Sequence, residues 1–204
     1  MVKVNLGSGD CKLNGWLNVD LARKDNPDLV ADLSQPLPFA DASVDYIHTE
    51  DFFAALTLEQ AYDFLRECRR VLKPHGVMRL LTPDLEKFAR KYLEDPDWLV
   101  QVWHRLVGVP LKTGSACEVF NLGMQLAGRF QYDKTTLMQM ATECGLRAYE
   151  VAYGQSEHAA LRGIDLRRPE ETVSMYLECV PAIDSTATAP PKTRPDPVFA
   201  ARRD

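Results

Sequence analysis

Short apolar runs alternate with turns and one long helix-like segment over the first eighty residues, and this alternation constrains the fold more than any other feature. The apolar runs are Val2–Leu6, Trp16–Leu21, Asp28–Leu33, Val44–His48 and Val77–Thr82. Between the fourth and fifth runs, Thr57 and Gln60 have the spacing of a helix capping box, and apolar residues follow at helical spacing. The segment Lys73-Pro74-His75-Gly76 ends that helix. Strands that alternate with helices and short turns predict a parallel sheet.

The second half of the chain predicts an insertion, a further helix and a closing pair of strands. From Pro83 to about Arg129 the pattern becomes helical and irregular, which indicates an insertion of about residues 94–130 that covers the substrate. Asp133 caps another helix, and the runs 146–152 and 172–180 follow it as strands. We therefore predict an α/β fold: a Rossmann-like, doubly wound sheet, mostly parallel, with an antiparallel closing strand and a helical insertion after strand 5.

The composition sets the limits of the domain and of its partners. The 204 residues suit one domain, residues 1–181, while the proline-rich segment 182–204 predicts a disordered tail. No apolar run reaches the roughly 18 residues that span a membrane, and the strand-like run begins at Val2, so we expect no secretory signal. We therefore expect a cytoplasmic protein. The net charge of −5 argues against a nucleic-acid partner and favours a small-molecule or carbohydrate partner. We keep a homodimer as a candidate assembly.

The five cysteines are scattered singly and include no C-x-x-C pair. This distribution argues against a disulfide framework and against a structural metal site. We therefore predict no metal.

Small and acidic residues stand at the ends of three successive predicted strands. The first strand ends in Gly7-Ser8-Gly9, where a ligand can lie directly against the backbone because glycine has no Cβ. Asp20 ends the second strand, where a carboxylate can bind both hydroxyls of a ribose. Asp32 and Leu33 end the third, where an acidic group can accept a hydrogen bond from an adenine amino group. Because the carboxyl ends of parallel strands share one edge, we expect a nucleotide-like ligand there.

The spacing of these residues distinguishes two kinds of cofactor. A dinucleotide fingerprint needs a third glycine and an acidic residue about 20 positions on. Here Lys12 takes the place of the third glycine, and only eleven positions separate Gly9 from Asp20. That gap leaves no room for the helix whose N-terminus normally faces a pyrophosphate. A ligand without phosphates fits better, and NAD is the alternative.

These residues belong to a set of segments in which the chain resembles the class I S-adenosylmethionine-dependent methyltransferases. It looks especially like a compact group of predicted methyltransferases, some of them encoded among polysaccharide-biosynthesis genes. The matching segments are 4–9, 15–20, 31–33, 37–39, 41–47, 66–74, 82–85 and 167–169. The resemblance covers most of residues 2–180, and the run from Leu37 to Pro74 is the most specific part.

The resemblance implies S-adenosylmethionine as the cofactor and methyl transfer to a small-molecule or glycan acceptor as the activity. It places the methionine end near the first strand, the ribose and adenine at the second and third strands, and the sulfonium side after the fourth. The implied cofactor-binding residues are Asn5, Gly7, Ser8, Gly9, Asp20, Leu21, Asp32, Leu33, His48 and Thr49.

Two departures from the family pattern bear on the chemistry. Class I enzymes commonly have Asp or Glu where Asn5 stands. Relatives also carry a Glu-His…Glu-His-Leu pattern after the fourth strand, whereas residues 50–56 keep Glu50 and Leu56 but neither histidine nor the second glutamate. A catalytically silent S-adenosylmethionine-binding protein therefore remains an alternative. An NAD-dependent oxidoreductase is a further one, and the lack of a Tyr-x-x-x-Lys pair argues against it.

A general base that removes a proton from the methyl acceptor would come from a short list of polar residues. The candidates are His48, Glu50, Asp51 and His104, with His158 and Asp165 from the closing segment.

Overall fold

Seven strands form a single sheet in the computed structural model, which describes residues 1–126 and 128–182, with Leu126 by its backbone alone. The strands are β1 (Lys3–Leu6), β2 (Leu17–Asp20), β3 (Leu29–Val30), β4 (Val44–Glu50), β5 (Leu72–Pro83), β6 (Leu146–Glu150) and β7 (Ser174–Pro181). Their order in the sheet is β3-β2-β1-β4-β5-β7-β6, and β7 runs antiparallel to both of its neighbours. The predicted sheet, mostly parallel with an antiparallel closing strand, is confirmed.

Five α-helices accompany the sheet in the described part of the chain. They are α1 (Leu58–Val71), α2 (Leu85–Glu94), α3 (Pro96–Val102), α4 (Ala116–Leu126) and α5 (Lys134–Glu143), with a π-helical turn at Trp103–Val107. Short 3₁₀ helices lie at Arg23–Asp25, Phe53–Ala55 and Ala159–Leu161. Thr57 and Gln60 form the predicted capping box of α1, and the Asp133 side chain caps α5. Helices α2–α4 follow β5, so the predicted helical insertion after strand 5 is confirmed.

The two faces of the sheet are covered in different ways. One face carries Val4, Ile47 and Leu80, which belong to a large apolar core with Phe64 of α1 and Leu137 of α5. The opposite face is covered by the loops 10–16 and 151–166, through a small apolar cluster of Trp16, Val77 and Leu161. Helices α2–α4 have a third core of their own around Leu99, Trp103 and Val119.

Strand β3 is shorter than the predicted run Asp28–Leu33, because side chains at both ends turn the backbone. The Asp28 carboxylate accepts from the backbone N–H and the side-chain amide of Asn18. The Asp32 carboxylate accepts from the N–H and hydroxyl of Ser34. These side-chain bonds take the place of backbone hydrogen bonds between the strands, so only Leu29 and Val30 pair with β2.

Strand β5 starts five residues before the predicted Val77, directly after α1. Leu72 already pairs with Val44, and the next pair in register is Val77 with Tyr46, so the intervening residues form a bulge. Lys73-Pro74-His75-Gly76 was predicted only to end the helix. In the closing pair, β6 ends at Glu150 rather than at Ala152, and β7 starts at Ser174 rather than at Thr172.

The connection between β1 and β2 contains no helix in the described structure, as its short length predicts. Within the described ranges, no helix is both long and apolar enough to cross a membrane. Of the predicted tail 182–204, Ala182 is described, and its N–H donates to the Gly145 carbonyl. Residues 183–204 lie outside the described residues.

Candidate functional site

A cleft runs along the carboxyl edge of strands β1–β4, where the sequence places its candidate ligand residues. It consists of two adjacent cavities of about 320 Å³ and 380 Å³, which share Gly7, Asp20, Phe52 and Ala55 in their linings. We call the first the β3 half, since it includes residues 31–34, and the second the β4 half, since it includes residues 48 and 50–52. Open α/β sheets bind ligands at this edge.

The glycine turn forms the floor where the two halves meet. Gly7 and Gly9 have positive φ angles of 72° and 49°, which favour glycine. The N–H groups of Gly7 and Ser8 donate to the Val19 carbonyl at 2.9 and 3.2 Å, which holds the turn against β2. A Cβ on Gly7 would lie 2.4 Å from the Phe52 Cβ, whereas a Cβ on Gly9 would meet no atom within 4 Å. Phe52 therefore packs directly on Gly7, and Gly9 leaves space above the backbone.

Asp20 stands at the junction of the two halves. One carboxylate oxygen accepts from the Gly9 N–H at 2.8 Å and the other accepts from the Ala22 N–H at 2.8 Å. These bonds fix the orientation of the carboxylate and leave a second lone pair on each oxygen for a ligand hydroxyl. The neighbouring Leu21 is 63% exposed and lines the β3 half.

The β3 half is bounded by Asp32 and Leu33 on one side. Leu33 is buried, and the Asp32 carboxyl is exposed, with a pKa that its hydrogen bonds from Ser34 hold below the ordinary value. The opposite wall includes Gln60 and Arg129, neither of which is among the predicted cofactor-binding residues. The Arg129 N–H donates to the Ala54 carbonyl, so the chain after the insertion contributes to this wall.

A row of polar side chains crosses the loop-covered face of the sheet beneath the cleft. Its members are register partners in six adjacent strands, namely Asn18, Asn5, His48, Arg79, Glu178 and Tyr149. All except Tyr149 are at most 4% exposed. We call this set the polar row. Because buried polar groups need partners, the row joins the strands by hydrogen bonds as well as by packing.

Hydrogen bonds along the polar row determine which nitrogen of His48 carries the proton. The Leu13 N–H donates to the Asn18 Oδ1, so that oxygen also accepts from the Asn5 Nδ2 at 3.0 Å. The Asn5 Oδ1 therefore faces the His48 Nδ1 at 3.0 Å and accepts a hydrogen bond from its N–H. In neutral His48 the Nε2 then carries a lone pair. Asn5, which is predicted near the methionine end of the cofactor, lines the β4 half, but its side-chain amide is engaged in these hydrogen bonds.

The Nε2 atom of His48 faces Glu50 within the β4 half. It lies 3.5 Å from the Glu50 Oε2 and makes no hydrogen bond within the described structure. Burial lowers the pKa of His48 to about 4, so the imidazole is neutral at pH 7. Burial also raises the pKa of Glu50. Both shifts favour the neutral forms, because a buried site penalises charge.

Glu50, Asp51 and Arg167 join the fourth strand to the closing segment. The Glu50 carboxylate accepts from the N–H groups of Leu166 and Arg167, at distances between 2.7 and 3.2 Å. The Arg167 guanidinium forms an ion pair with the Asp51 carboxylate, and Asp51 has a positive φ of 59° that is uncommon outside glycine. Arg167 also lines the β4 half, opposite the glycine turn.

The remaining candidates are not gathered in the cleft. Thr49 is fully buried and lines neither half, and His104 is exposed on the π-helical turn. His158 packs edge-on against Tyr46, with ring centroids 5.9 Å apart. Asp165 is buried and paired with the Arg79 guanidinium, so its carboxylate is engaged. The structure therefore places His48, Glu50 and Asp51 in the lining of the cleft, whereas His104, His158 and Asp165 line neither half.

Sequence reasoning missed Asn18, Phe52 and Arg79 as site-forming residues. Asn5 and Asn18 each stand two positions before a predicted ligand residue, Gly7 and Asp20, and a polar residue inside a buried strand was the available signal. Arg79 interrupts an apolar run in the same way. No local pattern indicated that Phe52 would pack on Gly7.

The sequence of the chain matches a known family over part of its length. Residues 16–80 match the methyltransferase domain family. No protein with a curated function matches the sequence significantly.

Solved structures show the same fold over most of the chain. A SAM-dependent methyltransferase from Thermotoga maritima is 17% identical, with a TM-score of 0.50, over 88% of this chain and 81% of that one. One from Methanosarcina mazei is 14% identical, with a TM-score of 0.51, over 89% and 92%. Rickettsia typhi PKMT2, solved with AdoHcy, is 10% identical, with a TM-score of 0.53, over 87% of this chain and 48% of that one. The predicted resemblance to class I S-adenosylmethionine-dependent methyltransferases is confirmed.

Proposed function

We propose that this chain, which has the class I methyltransferase fold and matches the methyltransferase domain family over residues 16–80, binds S-adenosylmethionine and transfers its methyl group to a small-molecule or glycan acceptor. The single observation that carries the proposal is the two-part cleft, whose halves meet at Gly7 and Asp20. The domain match supports S-adenosylmethionine as the cofactor, and so does the AdoHcy bound to the Rickettsia typhi protein of the same fold.

The residues of the cleft fit this cofactor in charge and in shape. Asp20 offers two oriented carboxylate oxygens where the ribose hydroxyls are expected. Gly9 leaves open space above the turn, and the Ser8 hydroxyl is buried without a hydrogen-bond partner in the described structure. Arg167 is a permanent cation in the β4 half and suits the α-carboxylate of the methionine moiety. Within the described residues, no helix lies between β1 and β2 to present its N-terminus to a phosphate, which disfavours the pyrophosphate of NAD.

The chain's own contribution to catalysis is binding and orientation. When bound, S-adenosylmethionine supplies an electrophilic methyl group on its sulfonium. Alignment of the reactants alone lowers a barrier by up to roughly 7–11 kcal/mol. His48 and Glu50 are acid–base groups that line the β4 half, and the neutral Nε2 of His48 can accept a proton from an acceptor hydroxyl or amine. The low pKa of His48 makes it a weak base.

One observation favours a catalytically silent binding protein as the second candidate function. Glu50 is bonded to two backbone N–H groups, and Asp51 is paired with Arg167. If these contacts persist with the cofactor bound, neither carboxylate is free to act on an acceptor. Cofactor binding without turnover is the outcome expected from this alternative.

Calorimetric titration with S-adenosylmethionine, S-adenosylhomocysteine and NAD tests the binding. We expect both adenosyl ligands to bind and NAD to show no heat of binding. Asp20→Asn keeps the size of the side chain but removes its charge, so we expect affinity to fall roughly 10- to 100-fold, since hydrogen bonds to charged groups contribute about 1.5–3 kcal/mol. Asp25→Asn, in the neighbouring 3₁₀ helix, is the matched control. Unchanged affinity in Asp20→Asn would remove the ribose assignment.

An acceptor screen then separates the enzyme from the silent protein. Release of S-adenosylhomocysteine is measured with panels of monosaccharides, phenols, alcohols and amines. If the wild-type protein turns over any panel member and Asp20→Asn does not, the result supports the methyltransferase hypothesis. Binding of the cofactor with no turnover across the panel supports the silent alternative.

A further inference from the structure

The helical insertion lines an open cavity that is distinct from the cofactor cleft. The cavity measures about 180 Å³ and lies among α2, α3, the π-helical turn and α4. Its apolar walls are formed by Leu85, Phe88, Trp98, Leu99, Val102, Trp103, Val107 and Val119. None of these residues lines either half of the cleft. A cavity of about 150 Å³ with such walls is large enough to bind benzene.

Aromatic rings form much of the wall and present carbon to the cavity. The only donor of Trp103, its Nε1–H, bonds to the Val109 carbonyl at 2.7 Å. Phe88 packs on the backbone of α4, where a Cβ on Gly123 would lie 2.5 Å from the ring. The cavity therefore lies beside a well-packed aromatic cluster and is not a gap between loosely packed helices.

The cavity has one polar end. Gln131 lines this end, and its Nε2 atom is buried without a hydrogen-bond partner in the described structure. Asp84 lies beside it, 4% exposed, with one carboxylate oxygen capping α2 and the other 3.8 Å from the Lys87 ammonium. A buried amide donor without a partner is costly, so a ligand that accepts a hydrogen bond there would satisfy it.

Two segments of chain connect the cavity with the cleft. Arg129 lines the β3 half and Gln131 lines the cavity, and two residues of extended chain span roughly 7 Å. Arg167 lines the β4 half, while Glu171, Thr172 and Val173 line the cavity. The cavity also starts at Pro83, where β5 ends at the ligand-binding edge of the sheet.

We propose that this cavity binds the apolar body of the methyl acceptor, a neutral aromatic or branched alkyl group with one hydrogen-bond acceptor that faces Gln131. The identification of the ligand as a methyl acceptor rests on the proposed methyl transfer. Binding of a ligand to the cavity can be tested without the cofactor. It favours an apolar small molecule, or an apolar substituent on a glycan, over an unmodified sugar.

Acetophenone is a suitable test ligand, because it combines a neutral aromatic ring with a carbonyl oxygen. Saturation-transfer NMR and intrinsic fluorescence report its binding, since two of the three tryptophans line the cavity. We expect a dissociation constant of about 1 mM or tighter for a ligand of this size. Ethylbenzene, which lacks the carbonyl, should bind several-fold more weakly, and mannose should not bind.

Two cavity-filling variants locate the binding. Val119→Phe fills the cavity from α4, and Val107→Trp fills it from the rim, where the side chain is 45% exposed and a larger ring is tolerated. Each should lower acetophenone affinity at least 10-fold. Leu106→Trp is the matched control, because Leu106 is 46% exposed and does not line the cavity. Gln131→Leu should remove the preference for acetophenone over ethylbenzene.

The outcomes separate this proposal from the cofactor assignment. The filling variants should bind S-adenosylmethionine with wild-type affinity, so loss of acetophenone binding alone supports the cavity. Absence of acetophenone binding to folded wild-type protein, or equal binding to wild type and Val107→Trp, would overturn it. If acetophenone binds but S-adenosylmethionine does not, the cavity stands as a ligand site and the methyl-transfer proposal fails.

Discussion

The environment of His48 makes a clear prediction at the scale of a single residue. Burial lowers the pKa of His48 to about 4, whereas an unfolded histidine titrates near its ordinary value of about 6.5. Below pH 6.5 the unfolded chain therefore binds a proton that the folded chain does not. The stability that His48 contributes is complete above pH 6.5 and falls as the pH is lowered toward 4. Between pH 7 and pH 5 we expect a loss of about 2 kcal/mol from this residue.

Urea denaturation of wild-type protein and His48→Gln at several pH values isolates this contribution. Other charged groups face the imidazole, namely Glu50, Asp165 and Arg79. The raised pKa of Glu50 acts in the opposite direction, because a protonated folded carboxyl gains stability as the pH falls. The difference between the two pH profiles, rather than either profile alone, carries the prediction. Parallel profiles from pH 7 to pH 5 would show that His48 is not held neutral.

Arg167 makes a second prediction at this scale. Its guanidinium is the only permanently charged cation among the described residues that line the β4 half. Arg167→Met removes the charge but keeps much of the side-chain length, and we expect S-adenosylmethionine affinity to fall about 10-fold, as for a lost charge-assisted hydrogen bond. Arg168→Met is the control, because Arg168 is exposed and does not line the cleft. Calorimetric titration measures both, and equal affinities would exclude a role for Arg167.

At the scale of elements, a buried ion cluster joins β5, β7 and the loop 151–166. Arg79 is fully buried and bonds Asp165, Glu178 and the carbonyls of Ala152 and Gln155. The loop lacks regular structure apart from one 3₁₀ turn, so these bonds largely determine where it lies. The position of the loop in turn determines where the N–H groups of residues 166 and 167, which bind Glu50, lie.

Arg79→Met tests this cluster. It leaves the carboxylates of Asp165 and Glu178 buried without their cation, which typically costs about 3–5 kcal/mol. For a domain of this size we expect the melting temperature to fall by roughly 10 °C. Arg147→Met, on an exposed position of β6, is the control and should change it little. A fall of less than about 2 °C for Arg79→Met in thermal denaturation would contradict the assigned role.

The strands and helices were predictable where local patterns decide them. The capping box at Thr57 and the turn at Gly7-Ser8-Gly9 are fixed by local chemistry, and the structure has both. The start of β3 and the start of β5 depend instead on Asn18, which binds Asp28, and on the pairing of Val44 with Leu72. These contacts join residues that are distant in sequence, so no periodicity reveals them.

At the scale of the molecule, the site was predictable as a set of strand ends but not as a surface. The positions of Gly7, Asp20 and Asp32 follow from strand order, because parallel strands align their carboxyl ends. The second wall of the cleft comes from Arg129 and Arg167, which the sequence separates from the glycine turn by more than a hundred residues. Their placement depends on tertiary contacts, such as the bond from the Arg129 N–H to Ala54.

Because α2–α4 have a core of their own, we expect S-adenosylhomocysteine and acetophenone to slow hydrogen exchange in different parts of the molecule. Hydrogen–deuterium exchange reports local opening of the backbone, and a ligand slows exchange where it ties segments together. We expect S-adenosylhomocysteine to protect residues 7–10, 50–52 and 166–167, because these segments line the β4 half. Acetophenone should instead protect residues 85–126, because these helices line the cavity. If S-adenosylhomocysteine protected α2–α4 more than the glycine turn, the insertion rather than the cleft would be its binding site.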